Sequence, residues 1–197
     1  METVKVIGLG SGRCGTKSLA ALLNAQENAK VTHEARPLLP WEVDQDRFNV
    51  REDGWNQELY ENDLDMVGDV GFYYLPYVSY AMNRHNLKCI CLMREETATV
   101  ASFERWSHGQ NFWHVGGNNP EWEPCFPKYN MPLERSARKW YREYYIEAAA
   151  LQRKYPRRFL IVPTFALNST AGQLMIGEFL GIDPHRFNHQ FKILNKG

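Results

Sequence analysis

The chain lacks most of the signals that would place it at once. Its 23 Lys and Arg are matched by 23 Asp and Glu, so the net charge is zero. Nothing global draws it to nucleic acid or to an anionic membrane, and any anion site must be local. No apolar run approaches the roughly eighteen residues of a membrane-spanning helix, so no membrane span is expected. Cysteines are few: Cys14, Cys89, Cys91 and Cys125 fit neither zinc nor disulfide spacing. There is no internal repeat and no low-complexity tract. No signal peptide is expected, because residues 1–9 already read as a buried strand. These absences point to a soluble, cytoplasmic protein, in which the glycosylation pattern Asn168-Ser-Thr170 carries no meaning. At 197 residues, one domain over 1–197 is expected, with a sizeable core. Oligomeric state is not written in the sequence.

What is present is an alternation. Apolar runs at residues 4–9, 30–33, 65–70, 88–93 and 159–162 read as strands, several of them continuous enough to be covered on both faces. Between them, residues 16–24, 75–84, 97–106, 133–154 and 170–180 carry helical patterns. Strand alternating with helix predicts an α/β fold, a three-layer α/β/α arrangement on a mainly parallel sheet of about five strands. Cys89 and Cys91 share one strand face as core thiols. Gly181 closes the last helix, with Pro184 beyond it. The Trp140, Tyr141, Tyr144 and Tyr145 cluster falls at helical spacing and reads as core packing.

Two segments break the rhythm. Residues 36–62 are polar and hold Trp41 and Trp55. Residues 107–132 hold Trp113, Trp122, four prolines and a run of glycine and asparagine at 116–119. Both are expected to be substrate loops walling a site beyond the carboxyl ends of the strands. His108, His114 and Trp113 are candidate substrate contacts there.

The most informative stretch is Gly10-Ser-Gly-Arg-Cys-Gly-Thr-Lys-Ser-Leu19. It lies between the first strand and the first helix, where backbone N–H groups converge on a point fit for a phosphate. Glycine lets the backbone approach the anion, and Arg13, Lys17 and Ser18 add donors. Gly10 and Gly15 have the spacing of a nucleotide-kinase loop. Thr16, however, stands where that loop needs lysine, and Lys17 where it needs a hydroxyl. The pattern is a poor magnesium–nucleoside triphosphate site.

Gly12-Arg-Cys-Gly-Thr-Lys-Ser18 instead resembles the 5′-phosphosulfate loop of the PAPS-dependent sulfotransferases, with Gly12 in a place those enzymes often give to proline. A second motif agrees: Arg94 ends the strand Lys88-Cys-Ile-Cys-Leu-Met93, and Ser102 follows eight residues later within Val100-Ala-Ser-Phe103. The family holds the 3′-phosphate of its nucleotide with such an arginine–serine pair, and arginine suits bidentate phosphate recognition. The late strand ending at Pro163 and the Phe179-Leu-Gly-Ile182 helix end are similar too. The resemblance implies a P-loop-like sulfotransferase fold. It also implies transfer of a sulfuryl group from PAPS to a hydroxyl or amine of a small-molecule or glycan acceptor, without a metal.

The same resemblance implies the site. Gly12, Arg13, Cys14, Gly15, Thr16, Lys17 and Ser18 would hold the 5′ end of the nucleotide, with Arg13 at the leaving oxygen. Arg94 and Ser102 would hold the 3′ end. Lys17 points either into the site or to solvent. A base is expected where the second strand ends, Glu34 first and His33 second, on opposite faces if the strand continues. Asp69 is expected to position the acceptor or to hold Arg13. The basic tail 192–197 is a candidate cover for the nucleotide. A P-loop-type kinase and a non-catalytic nucleotide-binding homologue are the competing readings.

Overall fold

The computed structural model describes residues 3–84, 86–116 and 119–189. Among the described residues, five parallel strands form one sheet: β1 (Val4–Gly10), β2 (Ala29–His33), β3 (Met66–Val70), β4 (Leu87–Met93) and β5 (Phe159–Pro163), in the order β2-β3-β1-β4-β5. Among the same residues, six α-helices accompany them: α1 (Thr16–Asn24), α2 (Gln45–Asn62), α3 (Val78–Ala81), α4 (Glu96–Ser107), α5 (Leu133–Lys154) and α6 (Thr170–Leu180).

Strand alternation sorts the core into two layers. Ile7, Leu9, Val67, Cys89, Cys91 and Phe159 face the side packed by Phe48, Trp140 and Tyr144. Val6, Val70, Ile90, Leu92 and Val162 face the side packed by Leu19, Leu23 and Ile176. Both faces are covered, which is why these strands read as continuous apolar runs. The result is the three-layer α/β/α architecture expected from the alternation. β1 lies between β3 and β4, with register Gly8↔Val70 on one side and Gly10↔Leu92 on the other. The crossover leaving β1 goes to the β2 side and the one leaving β3 passes to the β4 side, so the turn after β1 sits at the topological switch point where open α/β sheets place ligands.

Two expectations fail. Residues 36–62 are not a loop throughout, because Gln45–Asn62 is the 18-residue helix α2, N-capped by the Asp44 carboxylate, which accepts from Arg47 N at 3.0 Å. Its buried face is only Phe48, Glu52 and Trp55. Two apolar anchors in five turns are too few for a periodic signal, and the third buried residue is a carboxylate paired with Lys5 and Arg84. The helix expected over residues 75–84 is instead a 3-10 turn, Phe72–Tyr77, leading into the single turn α3. Pro76 inside it has no N–H to give to an α-helical bond. The segment 107–132 does remain largely irregular, but it is packed: Phe112, Trp113 and Phe126 are in the core.

Candidate functional site

The turn from Gly10 to Gly15 is built from left-handed backbone. Gly12 has φ 86°, and a Cβ there would stand 2.8 Å from the Phe103 ring; Gly15, the N-cap of α1, has φ 96°. Arg13 also takes a positive φ of 55°, without being glycine, a strained choice that needs support from its surroundings. The support comes from three directions. Arg94 Nη1 donates to the Arg13 carbonyl at 3.0 Å, and Thr164 Oγ1 to the Cys14 carbonyl at 2.7 Å. From α5, Trp140 Nε1 donates to the Ser11 carbonyl at 2.8 Å, and the Tyr144 hydroxyl accepts from Gly10 N at 3.1 Å. The Tyr145 hydroxyl donates to the Leu92 carbonyl at 2.7 Å. The aromatic cluster on α5 is core, as its spacing indicates, and its polar tips also brace the turn.

The side chains beside this turn line a cavity of about 630 Å³. Arg13, Cys14, Gly15 and Ser18 come from the turn and α1, Arg94 from the end of β4, Ser102 from α4, and Thr164 and Asn168 from the segment after β5. Arg13 Nε donates to Ser102 Oγ at 3.2 Å, and its guanidinium lies 5.6 Å from the Trp106 ring centre. Residues 89 positions apart in sequence are thus in contact. Neither Arg13 nor Arg94 has a carboxylate partner among the described residues. Burial, and then the charge of Arg94, hold the Arg13 pKa below the usual arginine value. Arginine still stays protonated, so two cations without a direct ion pair face one cavity, with the Glu34 charge acting on Arg13 from further off. Among the described residues there is no cluster of side chains that could hold a metal ion.

The second group lies at the end of β2. His33 Nε2 is 3.0 Å from Thr16 Oγ1 in the first turn of α1, and His33 Nδ1 is 3.6 Å from Glu34 Oε2. The two were expected on opposite faces. The strand ends at His33, and Glu34 turns with φ 52°, so the pair converge. Burial, and then the nearby Asp69 charge, push the Glu34 carboxyl up from 4.5 to about 7. Burial pulls the His33 imidazole down from 6.5 to about 4, with Asp69 opposing and Lys17 assisting. At neutral pH the histidine is uncharged and the carboxyl is close to half ionised.

Asp69 neither holds Arg13 nor stands free for an acceptor. Its carboxylate is fully buried, accepts from Thr32 Oγ1 at 2.7 Å and from the hydroxyls of Tyr73 and Tyr74 at 3.0 and 2.9 Å, and pairs with Arg51 at 3.3 Å. Ala35 N is a further donor at 3.2 Å. A carboxylate so fully occupied fixes the chain leaving β2. Its partner Arg51 sits on α2, the helix hidden from periodicity.

The remaining candidates separate. Cys14 is buried, its thiol pushed up to about 11 by desolvation, so it offers backbone only. Lys17 is exposed and does not line the cavity. His108 caps α4 with φ 48° and lines, with His114, a different cavity of about 570 Å³. Trp113 is not a platform for a ligand: it is wholly buried against Phe103 and Phe126, and its Nε1 has no hydrogen-bond partner. A long loop over a core must bury its own aromatics, and this one does. The tail 192–197 lies outside the described residues. Thr164, Asn168 and Trp106 were missed. Trp106 follows Ser102 by four residues on α4 and so shares its face, and Thr164 directly follows β5, where strand-end rules look.

A parallel sheet in this order, with a glycine-rich turn between β1 and α1 at its switch point, defines a P-loop-like α/β fold. Solved sulfotransferases share it. The chain superposes on a sulfotransferase from Alicyclobacillus acidocaldarius with a TM-score of 0.57 and 14% identity, covering 98% of this chain and 87% of that one. It also superposes on mouse sulfotransferase SULT7A1 complexed with PAP, with a TM-score of 0.52 and 16% identity, covering 91% of this chain but only 60% of that one. No protein-family model and no curated protein matches the sequence.

Proposed function

We propose that this chain is a sulfotransferase that moves the sulfuryl group of PAPS to a hydroxyl or amine of a small-molecule or glycan acceptor, releasing adenosine 3′,5′-bisphosphate. One observation carries the reading: Arg13 and Arg94, without carboxylate partners, face a single cavity with Ser102 at the switch point of a fold shared with sulfotransferases. The SULT7A1 structure contains PAP, and a ligand with separate 3′ and 5′ phosphates suits two arginines held on different elements.

In this reading the N–H groups of Gly15, Thr16, Lys17 and Ser18 and the Arg13 guanidinium hold the 5′ end, and Arg94 and Ser102 hold the 3′ end. The acceptor oxygen bonds to sulfur while the bond from sulfur to the bridging phosphate oxygen breaks. The electron pair of that bond stays on the phosphate. Arg13, fixed beforehand by Ser102 and Trp106, faces this growing charge, where a preorganised donor is worth about 10²–10³ in rate. The acceptor proton passes to Glu34, whose raised pKa makes it a stronger base than an ordinary carboxylate, a contribution of about 10²–10⁴. His33, neutral and held by Thr16, orients Glu34.

Calorimetric titration with adenosine 3′,5′-bisphosphate tests the reading, with binding expected in the absence of metal. Tight, magnesium-dependent ATP binding with none of the bisphosphate would overturn it in favour of a kinase. Bisphosphate binding without transfer of labelled sulfate to any acceptor of a broad panel would instead indicate a non-catalytic homologue.

A further inference from the structure

The chain turns sharply where β2 ends. Glu34 takes φ 52°, a conformation that a residue with a side chain keeps only when its surroundings hold it. One bond, from Glu34 N to the Val70 carbonyl at 3.0 Å, extends the ladder with β3 by a residue. Beyond it, residues 35–37 belong to no strand or helix. What holds them is Arg51 on α2. Its Nη2 donates to the Ala35 carbonyl at 3.0 Å and to the Pro37 carbonyl at 2.5 Å. Its Nη1 donates to the Tyr74 hydroxyl at 2.9 Å and to the Asp69 carboxylate at 3.3 Å. Each terminal guanidinium nitrogen carries two N–H groups, so all four are used. Asp69 in turn accepts from Ala35 N at 3.2 Å. Both polar atoms of the Ala35 backbone are therefore fixed from one hub.

Arg51 is nearly buried, with a side chain 11% exposed, and it does not line the cavity at Arg13. Its planar fork reaches loop backbone with one nitrogen and the hub with the other, which an ammonium donating from a single point cannot do. The group that depends on this turn is the Glu34 carboxyl. Around it stand Asp69 on β3, Arg36 in the segment that follows, Lys17 on α1, Arg13 in the glycine-rich turn and His33 beside it. Burial and Asp69 push the carboxyl up to about 7 against the three cations. A turn that loosened would let the carboxyl reach water and lose that displacement.

We propose that Arg51 is a positioning residue: its guanidinium fork holds the left-handed turn that presents Glu34 to the acceptor. The proposal rests on Glu34 being the base in the sulfotransferase reading, but the clamp is read without activity. Carbon-13 NMR of glutamate-labelled protein, with Glu34→Gln to assign the resonance, follows the carboxyl in the parent, in Arg51→Lys and in Tyr74→Phe. The first variant keeps a charge beside Asp69 but not the fork. The second removes a hydroxyl from the same hub and leaves both carbonyl bonds. The midpoint is expected to fall from about 7 towards 4.5 in Arg51→Lys and to stay near the parent's in Tyr74→Phe. In Arg51→Lys, bisphosphate affinity should stay within about twofold while kcat for sulfuryl transfer falls roughly ten- to a hundredfold. In the parent, the Glu34 and Ala35 amides should exchange with solvent no faster than those in the middle of α2, a measurement that stands even where Arg51→Lys does not fold. An unmoved midpoint in Arg51→Lys, equal movement in both variants, or free exchange at Glu34 and Ala35 while α2 is protected overturns the proposal. A midpoint that moves as expected in a chain that transfers no sulfuryl group keeps the clamp and overturns the sulfotransferase reading instead.

Discussion

Replacing Glu34 by Gln separates the two candidates for the base and tests the environment that sets them apart. Moving a carboxyl from 4.5 to about 7 penalises its ionised form by about 3 kcal/mol. Below pH 4.5 the group is protonated in both the folded and unfolded chain, and the folded state loses nothing. As pH rises through about 7 the unfolded chain has already ionised, the folded one must follow, and stability falls. Gln pays no such penalty. The stability of Glu34→Gln relative to the parent should therefore rise by about 2–3 kcal/mol between pH 5 and pH 8. Urea denaturation at both pH values gives this difference, and any fixed change in packing cancels from it. The same variant should lose about 10²–10⁴ in sulfuryl transfer. In the parent, kcat should climb with pH to a plateau above about 7, the value given for Glu34. A limb near pH 4 would name His33 as the base. A stability difference that does not change with pH would refute the desolvation argument itself.

The other expectations concern the anchors. Arg13→Ala should lower transfer about 10²–10³, a larger loss than its loss of bisphosphate affinity. Arg94→Ala should weaken that affinity about ten- to a hundredfold through lost charge-assisted bonds. Isothermal titration set against initial rates distinguishes the two, and the reverse pattern contradicts the roles assigned. Asp69→Ala strands Arg51 and two buried tyrosine hydroxyls and should cost about 3–5 kcal/mol in urea denaturation. A cost under about 1 kcal/mol would mean the hub bears little of the fold. Trp140→Phe leaves the Ser11 carbonyl without its donor and should cost about 1–3 kcal/mol. Loss of hydrogen-exchange protection in the turn should accompany it, and unchanged protection there would argue against bracing from α5.

The strands were legible because a sheet covered on both faces writes itself as unbroken apolar runs, as Cys89, Cys91 and Ile90 do between them. Helix α2 was not, because a helix anchored at Phe48 and Trp55 and by a buried ion pair at Glu52 looks polar in sequence. The two motifs were read apart, one for each end of a nucleotide, and their direct contact, Arg13 with Ser102 and Arg94 with the Arg13 backbone, was not expected. Spacing along the chain marks a strand end and a helix, but not that side chains 89 positions apart touch. The convergence of His33 and Glu34 was not readable, since it depends on a non-glycine residue adopting φ 52°. Nor was the fate of Asp69, because Thr32, Arg51, Tyr73 and Tyr74 find one another only in three dimensions.

The tips of Trp140, Tyr144 and Tyr145 reach from the middle of α5 to backbone atoms of Gly10, Ser11 and Leu92. The turn and the longest helix thereby belong to one cooperative unit. The turn has no low-energy route to open by itself, because freeing it breaks bonds made inside the core. Its shape survives for as long as the core does. Any slow motion around the cavity must then arise in segments that do not carry these bonds.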